Sequence, residues 1–320
     1  MASGRLGTGA LPAPGVANLR AGPHMQQGIV YAALAYGLWG LFPLYFRLLA
    51  EVAPLEVLAH RFIWSIGFLL LILAVLRRWA WLGPALRTPK VLGLFVLSAT
   101  LLSVNWFVYI WAITNHRVLE ASLGYFITPL ANVLTGALVL RERLRTAQWG
   151  AVALAALGVG WMTWQLGDLP WVALVLAASF SMYGLVRKTA PLGALEGLTL
   201  ETLLLAPLAL AGLLWATSQG LARFAWADWD VKGLLIASGP VTAIPLLLFA
   251  AGARRIPLSV LGMLQYIGPT IQFFLGIWLF HEPFSPARLQ GFVLIWCACA
   301  LFSAELLWRS RQPAAPDPSA

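Results

Sequence analysis

The feature that most constrains this chain is a series of long segments that carry almost no charge. Residues 62–76, for example, read FIWSIGFLLLILAVL and contain no charged side chain. About 20 mostly apolar residues are enough to cross the hydrocarbon core of a bilayer. Ten segments of this kind follow one another, at about residues 28–48, 57–76, 91–113, 118–140, 148–165, 170–187, 197–217, 231–251, 258–280 and 288–308.

The composition agrees with a chain that lies mostly in lipid. Charged residues make up 10% of the 320 residues, whereas a soluble domain carries roughly 25%. Because the bilayer core offers no water to backbone N–H and C=O groups, spanning segments like these must be helical. We therefore predict an all-α integral membrane protein with ten transmembrane helices, for which the lipid bilayer is the first partner.

The basic residues predict an orientation in the membrane rather than a nucleic-acid partner. The net charge is +9, but a nucleic-acid-binding protein gathers its basic residues on one soluble face. Here they form short groups between the apolar segments. If the N-terminus is cytoplasmic, 15 of the 21 Lys and Arg residues lie on the cytoplasmic side, as the positive-inside rule expects. Both termini are therefore predicted to be cytoplasmic.

The chain also repeats itself with a nearly constant offset. LEVLAHR at 55–61 is similar to LEGLTLE at 195–201, and YFITP at 125–129 is similar to QYIGP at 265–269, both at an offset of 140 residues. This pattern predicts a five-helix unit used twice, and an odd number of spans inverts the second copy. Inverted repeats are typical of secondary transporters that work by alternating access. The predicted divisions are a disordered N-terminal tail at 1–26, repeats at 27–166 and 167–310, and a C-terminal tail at 311–320, with Met25 left open as an alternative start.

Several stretches of the chain resemble a known family. AHRFIWS, NWFVYIWAITNHRVLEASLGYFITPL, YGLVRK and LGMLQYIGPT resemble the RarD branch of the EamA-type drug/metabolite transporter superfamily. The resemblance covers about residues 26–310, and it implies ten helices in two inverted five-helix repeats in the bacterial inner membrane. The RarD name implies a link to chloramphenicol sensitivity, but the resemblance supplies neither a physiological substrate nor a set of binding residues.

Polar side chains inside the apolar segments are the first candidates for a substrate site. A buried polar group is costly unless it is paired or lines a wet cavity. Asn105 and Tyr109 are four residues apart and share a helix face, while Pro129 and Pro269 mark kinked polar stretches in the two repeats. Interhelical hydrogen bonding is the alternative role for such groups. The predicted cavity-lining residues are Asn105, Tyr109, Tyr125, Asn132, Gln265 and Tyr266.

Arg61 lies near the predicted outer end of the second apolar segment, and Trp64 follows three residues later on the same helix face. A guanidinium flanked by aromatic rings can hold an anionic or zwitterionic group by hydrogen bonding and stacking. We therefore add Arg61 and Trp64 to the predicted substrate-binding residues. The alternative is that the long Arg61 side chain extends to the membrane surface.

Glu201 occupies the position in the second repeat that corresponds to Arg61 in the first. It lies roughly one turn into the seventh apolar segment from the inner side, and a carboxylate inside a membrane is a candidate for carrying a proton. The alternative is an ordinary carboxylate exposed to the cytoplasmic vestibule. Inverted symmetry predicts Arg61 at the outer mouth of the pathway and Glu201 at the inner mouth, without a direct salt bridge between them.

The sequence shows no pattern typical of an enzyme or a metal site. The four histidines are spread over the chain, and the spacing of Cys297 and Cys299 puts them on different sides of a helix. We therefore predict no enzyme activity, no cofactor and no metal. The predicted function is a secondary exporter of small organic molecules, with a membrane-embedded enzyme acting on a lipid-like substrate, or a receptor or scaffold, as alternatives. The coupling ion and the oligomeric state are left open.

Overall fold

The computed structural model describes residues 23–139, 146–253, 255–256, 261 and 264–310. Within these residues the regular structure is entirely helical. Two short helices, Leu82–Arg87 and Arg223–Trp226, lie in connections. The longer helices are α1 (Pro23–Arg47), α2 (Pro54–Leu76), α3 (Pro89–Thr114), α4 (Val118–Val139), α5 (Thr146–Leu166), α6 (Trp171–Thr189), α7 (Ala194–Ser218), α8 (Trp229–Ala253), α9 (Ile267–Phe274, continued by a π-helical turn at Leu275–Leu279) and α10 (Pro286–Ser310).

Seven of these helices, α1, α2, α3, α4, α7, α8 and α10, contain a stretch long and apolar enough to cross a membrane, and α6 and α9 contain shorter apolar stretches. The protein is therefore an all-α, multi-pass integral membrane protein, as predicted. Ten crossings and the inverted repeat stay predictions. The helix α1 begins at Pro23, inside the stretch assigned to the N-terminal tail, and residues 1–22 and 311–320 lie outside the described part of the chain.

Local sequence signals account for where the helices begin and end. The helices α2 and α3 start at Pro54 and Pro89, since proline fits the first helical turn, where its missing N–H costs no hydrogen bond. The helix α2 is capped by Arg77, which follows its last residue, adopts the left-handed conformation with φ of 52° and donates its backbone N–H to the last turn, a common way to satisfy terminal carbonyls. These residues mark where the long apolar helices begin and end.

Close helix contacts depend on small residues at a few positions. Gly239 of α8 lies against the backbone of α2, because a Cβ placed on it would be 2.4 Å from the carbonyl carbon of Trp64. Gly124 of α4 lies in the same way against α6, where a Cβ would be 2.8 Å from the carbonyl oxygen of Ala173. Small residues at such points let membrane helices approach closely and gain dispersion energy.

The connections α1–α2, α3–α4 and α7–α8, together with the starts of α4 and α6, lie at one end of the bundle, which we call the far end. Glu56 of α2 accepts hydrogen bonds from the backbone N–H groups of Arg223 and Phe224, at 3.0 and 2.9 Å. Glu120 of α4 accepts one from the backbone N–H of Val172, at 3.0 Å. Each carboxylate therefore caps a helix start that belongs to the other half of the chain.

Glu282, in the connection between α9 and α10, completes this set of caps. Its carboxylate accepts hydrogen bonds from the backbone N–H groups of Val118 and Leu119, at 2.6 and 2.9 Å, and the residue is buried. Burial raises the pKa of the Glu282 carboxyl, while the two amide hydrogen bonds act in the opposite direction. Glutamates from both halves thus hold the two halves together at the far end. Glu142, which precedes Glu282 by 140 residues, the offset of the predicted repeat, lies outside the described residues.

Candidate substrate-binding site

A cavity of about 470 Å³ lies inside the helix bundle. Eight of its twenty lining residues come from 27–166 and twelve from 167–310, and nine of the twenty are aromatic. Its volume falls in the range of small-molecule sites, which are mostly apolar with a few placed polar groups. Toward the far end it is closed by a core cluster that includes the fully buried Phe46, Leu49 and Ile113.

A hydrogen-bonded group forms the polar part of the cavity wall. The Asn105 side-chain amide donates to the carbonyl of Leu176 and to Oγ of Ser179, both at 3.0 Å. The Tyr125 hydroxyl donates to Oδ1 of Asn105 at 3.3 Å. Asn105 and Tyr125 line the cavity and also join helices, and their part in substrate binding stays a prediction.

Tyr109 and Gln265 also line the cavity. The Tyr109 ring lies 5.7 Å from that of Tyr125, and its buried hydroxyl has no hydrogen-bond partner among the described residues. Asn132 and Tyr266 lie elsewhere. Asn132 is exposed, and the Tyr266 ring stacks on Phe126, with centroids 6.2 Å apart, in a cluster beside the cavity.

Arg61 is buried inside the bundle, with 2% of its surface exposed, and does not extend to the membrane surface. Its guanidinium carbon lies 3.7 Å from the centre of the Trp106 ring and 5.2 Å from that of Phe62. Trp106 lines the cavity, so one aromatic ring separates Arg61 from the cavity space. Trp64, which was expected to flank Arg61, makes a different contact: its indole N–H donates to Nδ1 of His60 at 3.2 Å.

Glu201 lies in a buried polar network beside the cavity, with 1% of its surface exposed. It accepts hydrogen bonds from Oγ of Ser98 and, at 3.5 Å, from the Tyr183 hydroxyl. Its ion pair is with Nη1 of Arg187, at 3.6 Å. Within the described residues Arg61 and Glu201 form no ion pair with each other. Because Tyr183 and Arg187 both line the cavity, the network places Glu201 one side chain away from it.

The sequence reasoning missed Tyr183 and Arg187. Arg187 is one of the 15 basic residues predicted to be cytoplasmic, although its guanidinium is turned inward onto Glu201. The available signal was the spacing within YGLVRK, where a tyrosine and an arginine four residues apart share one helix face. The partners themselves lie on α3 and α7, far away in the sequence, and periodicity along α6 gives no information about them.

The described residues offer little to a metal ion. No group of three or more His, Cys, Asp or Glu side chains within them could hold one. The acidic side chains at the far end act on backbone N–H groups instead. The arrangement around the cavity is therefore suited to holding an organic molecule by aromatic contact, hydrogen bonds and charge.

Comparison with known proteins shows the family. Residues 26–164 match the EamA-like transporter family. The chain is 46% identical to "Protein RarD" of Streptomyces exfoliatus over 92% of this chain and 93% of that protein. The chain belongs to the RarD branch of the EamA-type transporters. It is also 41% identical to "Protein RarD" of Escherichia coli strain K12, over 90% of this chain and 97% of that protein, and 46% identical to "Uncharacterized transporter YojE" of Bacillus subtilis strain 168, over 89% and 96%.

A solved crystal structure shares the overall fold of this RarD-type chain. The match has a TM-score of 0.57 and 22% identity, and covers 90% of this chain and 99% of the other. At that identity the likeness concerns the fold alone. The RarD relatives confirm the resemblance seen in the sequence, and they make this protein a membrane transporter of small molecules.

Proposed function

We propose that this RarD-type chain is a secondary exporter of small organic molecules that works by alternating access in the bacterial inner membrane, with both termini cytoplasmic. One observation carries the proposal: an aromatic cavity is lined from both halves of the chain and closed toward the far end by a buried cluster. A transporter that exposes its site to one side at a time needs such a site at the junction of two units that can rock against each other.

Two glutamates support the inverted arrangement of the halves. Glu56 and Glu196 are 140 residues apart, the offset of the repeat. Glu56 binds the connection between α7 and α8 at the far end. Glu196 lies 3.6 Å from Arg78, in the connection between α2 and α3 at the opposite end. Equivalent residues thus tie the two halves together at opposite ends of the bundle, as a pair of inverted repeats would.

The binding residues proposed here fall into two groups. Asn105, Tyr109, Tyr125 and Gln265 line the cavity and would contact the substrate directly. The remaining members of the predicted set would reach the substrate only through a neighbour or after the halves rock: these are Arg61, Trp64, Asn132 and Tyr266. We assign proton coupling to Glu201, since its partners Tyr183 and Arg187 line the cavity.

The alternative of an enzyme acting on a lipid-like substrate finds less support. A membrane-embedded hydrolase needs a nucleophile or paired acids at its site. Among the described residues that line the cavity there is no Asp, Glu, Ser, Thr, Cys or His. The polar lining is made of Asn, Gln, Tyr and Arg, of which only Tyr can serve as a nucleophile.

The decisive experiment is counterflow in proteoliposomes. The purified protein is tested against amino acids, amphiphilic amines and chloramphenicol, with and without a pH gradient. Chloramphenicol belongs in the panel because a 35% identical Pseudomonas aeruginosa relative is named "Chloramphenicol-sensitive protein RarD". We expect saturable exchange of at least one compound. Absence of exchange for the whole panel by protein that unfolds cooperatively on heating would contradict the proposal.

The Glu201→Gln variant tests proton coupling within the same assay. The amide keeps the shape of the side chain and can still accept from Ser98, but it cannot carry a proton. We expect counterflow without a pH gradient to persist, while stimulation by the gradient is lost. A matched control is Glu196→Gln, which alters a carboxylate five residues earlier on α7 that is paired with the exposed Arg78. Equal loss of stimulation in both variants would argue against Glu201 as the coupling residue.

A further inference from the structure

We propose that the cavity selects organic monoanions with an apolar or aromatic body, and that Arg61 supplies the positive charge that holds the carboxylate. The inference deepens the site and rests on the transporter function proposed above. It follows from an inventory of charge around the cavity, from the lack of a partner for Arg61, and from the composition of the walls.

In the described part of the chain, Arg187 is the charged residue that lines the cavity, and Arg61 and Glu201 lie one side chain behind its wall. Arg187 and Glu201 lie 3.6 Å apart and neutralise each other. No described acidic residue forms an ion pair with Arg61, and its Nε and Nη1 have no hydrogen-bond partner there. Arg61 is therefore a positive charge beside the cavity that no described acidic side chain compensates.

An uncompensated buried guanidinium is costly, because it has lost its hydration without gaining a counter-ion. The Trp106 ring, 3.7 Å from the guanidinium carbon, offsets part of this cost by a cation–π contact. The remaining field acts across that ring into the cavity, where Tyr125 and Tyr183 lie within electrostatic range of Arg61. A single negative charge in the cavity would complete the balance.

Tyr109 places a hydrogen-bond donor close to the Trp106 ring. The Tyr109 and Trp106 rings are 5.9 Å apart, and the Tyr109 hydroxyl is buried without a partner among the described residues. A carboxylate near Trp106 would accept from this hydroxyl while it interacts with Arg61. One ligand group would therefore accept a hydrogen bond from Tyr109 and balance the charge of Arg61 across the Trp106 ring.

The charges around the cavity suit a cation or a zwitterion less well than an anion. An ammonium group needs an acidic partner, but the oxygens of Glu201 are already engaged by Ser98, Tyr183 and Arg187, and no described lining residue is acidic. Nine aromatic rings line the cavity and suit an apolar or aromatic body by stacking and edge contacts. The chemistry that fits is one carboxylate on a hydrophobic skeleton.

The test uses the full-length protein in detergent and four probes that share one skeleton. These are 3-phenylpropanoate, L-phenylalanine, 3-phenylpropylamine and 3-phenylpropan-1-ol, titrated calorimetrically at neutral pH. We expect 3-phenylpropanoate to bind at least tenfold more tightly than the alcohol, and the amine to bind most weakly. Binding of the amine or the alcohol as tight as that of the propanoate, or no measurable binding of the propanoate, would overturn the proposal.

Variants assign the preference to Arg61. Arg61→Ala should reduce propanoate affinity to that of the alcohol and leave alcohol affinity unchanged, while Arg61→Lys should retain part of the difference, because it keeps the charge but loses the planar stack. Arg117→Ala, which removes a cation from the far end that pairs with Glu120, is the control and should keep the full preference. A folded Arg61→Ala protein that still prefers the anion would refute the assignment.

Tyr109→Phe keeps the proposal testable if Arg61→Ala does not fold. It removes one hydroxyl from the cavity wall and should weaken propanoate binding severalfold without affecting the alcohol. Unchanged propanoate binding in this variant, together with an Arg61→Lys protein that keeps the full preference, would count against the site. Counterflow separates this inference from the proposed function: anion-selective binding without transport defeats only the function, and transport of amines alone defeats only the inference.

Discussion

Gly197 determines where the Arg187 side chain can lie. A Cβ at this position would be 1.8 Å from Nη1 of Arg187 and 2.6 Å from its Cζ. The guanidinium therefore passes directly over the α7 backbone on its way to Glu201, and only a residue without a side chain leaves room for it. One glycine thus supports the ion pair beside the cavity.

The Gly197→Ala variant tests this arrangement. Because the obstructing atom belongs to the end of a flexible side chain, we expect Arg187 to swing aside and leave Glu201 without its cation. The expected loss is about 1–3 kcal/mol, the cost of a buried polar group without its partner, read as a lower unfolding temperature in detergent, together with impaired counterflow.

The control for this variant is Gly212→Ala on the same helix, where a Cβ would meet nothing within 4 Å. Alanine has the higher helix propensity, so its stability should be unchanged or slightly raised. If both alanine variants unfold at the same temperature and transport equally well, Gly197 does not position Arg187.

At the scale of elements, the contact between α2 and α8 depends on Gly239. A Cβ there would lie 2.4 Å from the carbonyl carbon of Trp64 and 2.8 Å from the backbone N of Ser65, so whole helices would have to move. We expect Gly239→Ala to cost about 1–3 kcal/mol, as overpacking usually does, measured as thermal unfolding in detergent. Gly233→Ala, in open space on the same helix, should have no such effect, and equal stability of the two would disprove the contact.

The cap on α4 gives a second prediction at this scale. Glu282→Ala leaves the backbone N–H groups of Val118 and Leu119 without their acceptor, and loss of a cap costs about 0.5–2 kcal/mol. Glu282→Gln should recover part of the stability, since its one remaining oxygen still accepts. Glu51→Ala removes an exposed far-end carboxylate that pairs with Arg223 and should cost less than about 1 kcal/mol. A Glu282→Ala protein as stable as Glu51→Ala would exclude the cap.

At the scale of the whole molecule, the prediction concerns topology. Fusions of alkaline phosphatase, which is active only outside the cytoplasm, should be inactive within 77–90 and active in the connection 219–228. The reason is the distribution of basic residues between the apolar segments. An active fusion within 77–90, or termini on opposite sides of the membrane, would disprove the inverted five-helix arrangement.

The sequence was a good guide to helices and a partial guide to the site, for a physical reason. Hydropathy depends on the chain alone, whereas the face that a helix turns toward a cavity depends on its neighbours. Tyr125 and Asn132 are seven residues apart and share a face, yet only Tyr125 lines the cavity. Seven residues span about 10.5 Å of helix, so Asn132 lies too far along α4, beyond Pro129. Arg61 was expected beside Trp64 on its own helix, but the aromatic ring over its guanidinium, Trp106, comes from another helix.

The glutamate caps at the far end have a consequence for how that end opens. Five backbone N–H groups lose their carboxylate acceptors when the halves separate there: those of Val118, Leu119, Val172, Arg223 and Phe224. Water would replace these acceptors. We therefore expect water to enter the far end of the bundle as the hydrogen bonds to the glutamates break. Raising the osmotic pressure on that side with a polymer too large to enter should therefore slow exchange. An exchange rate that does not depend on osmotic pressure would show that the far end opens without taking up water.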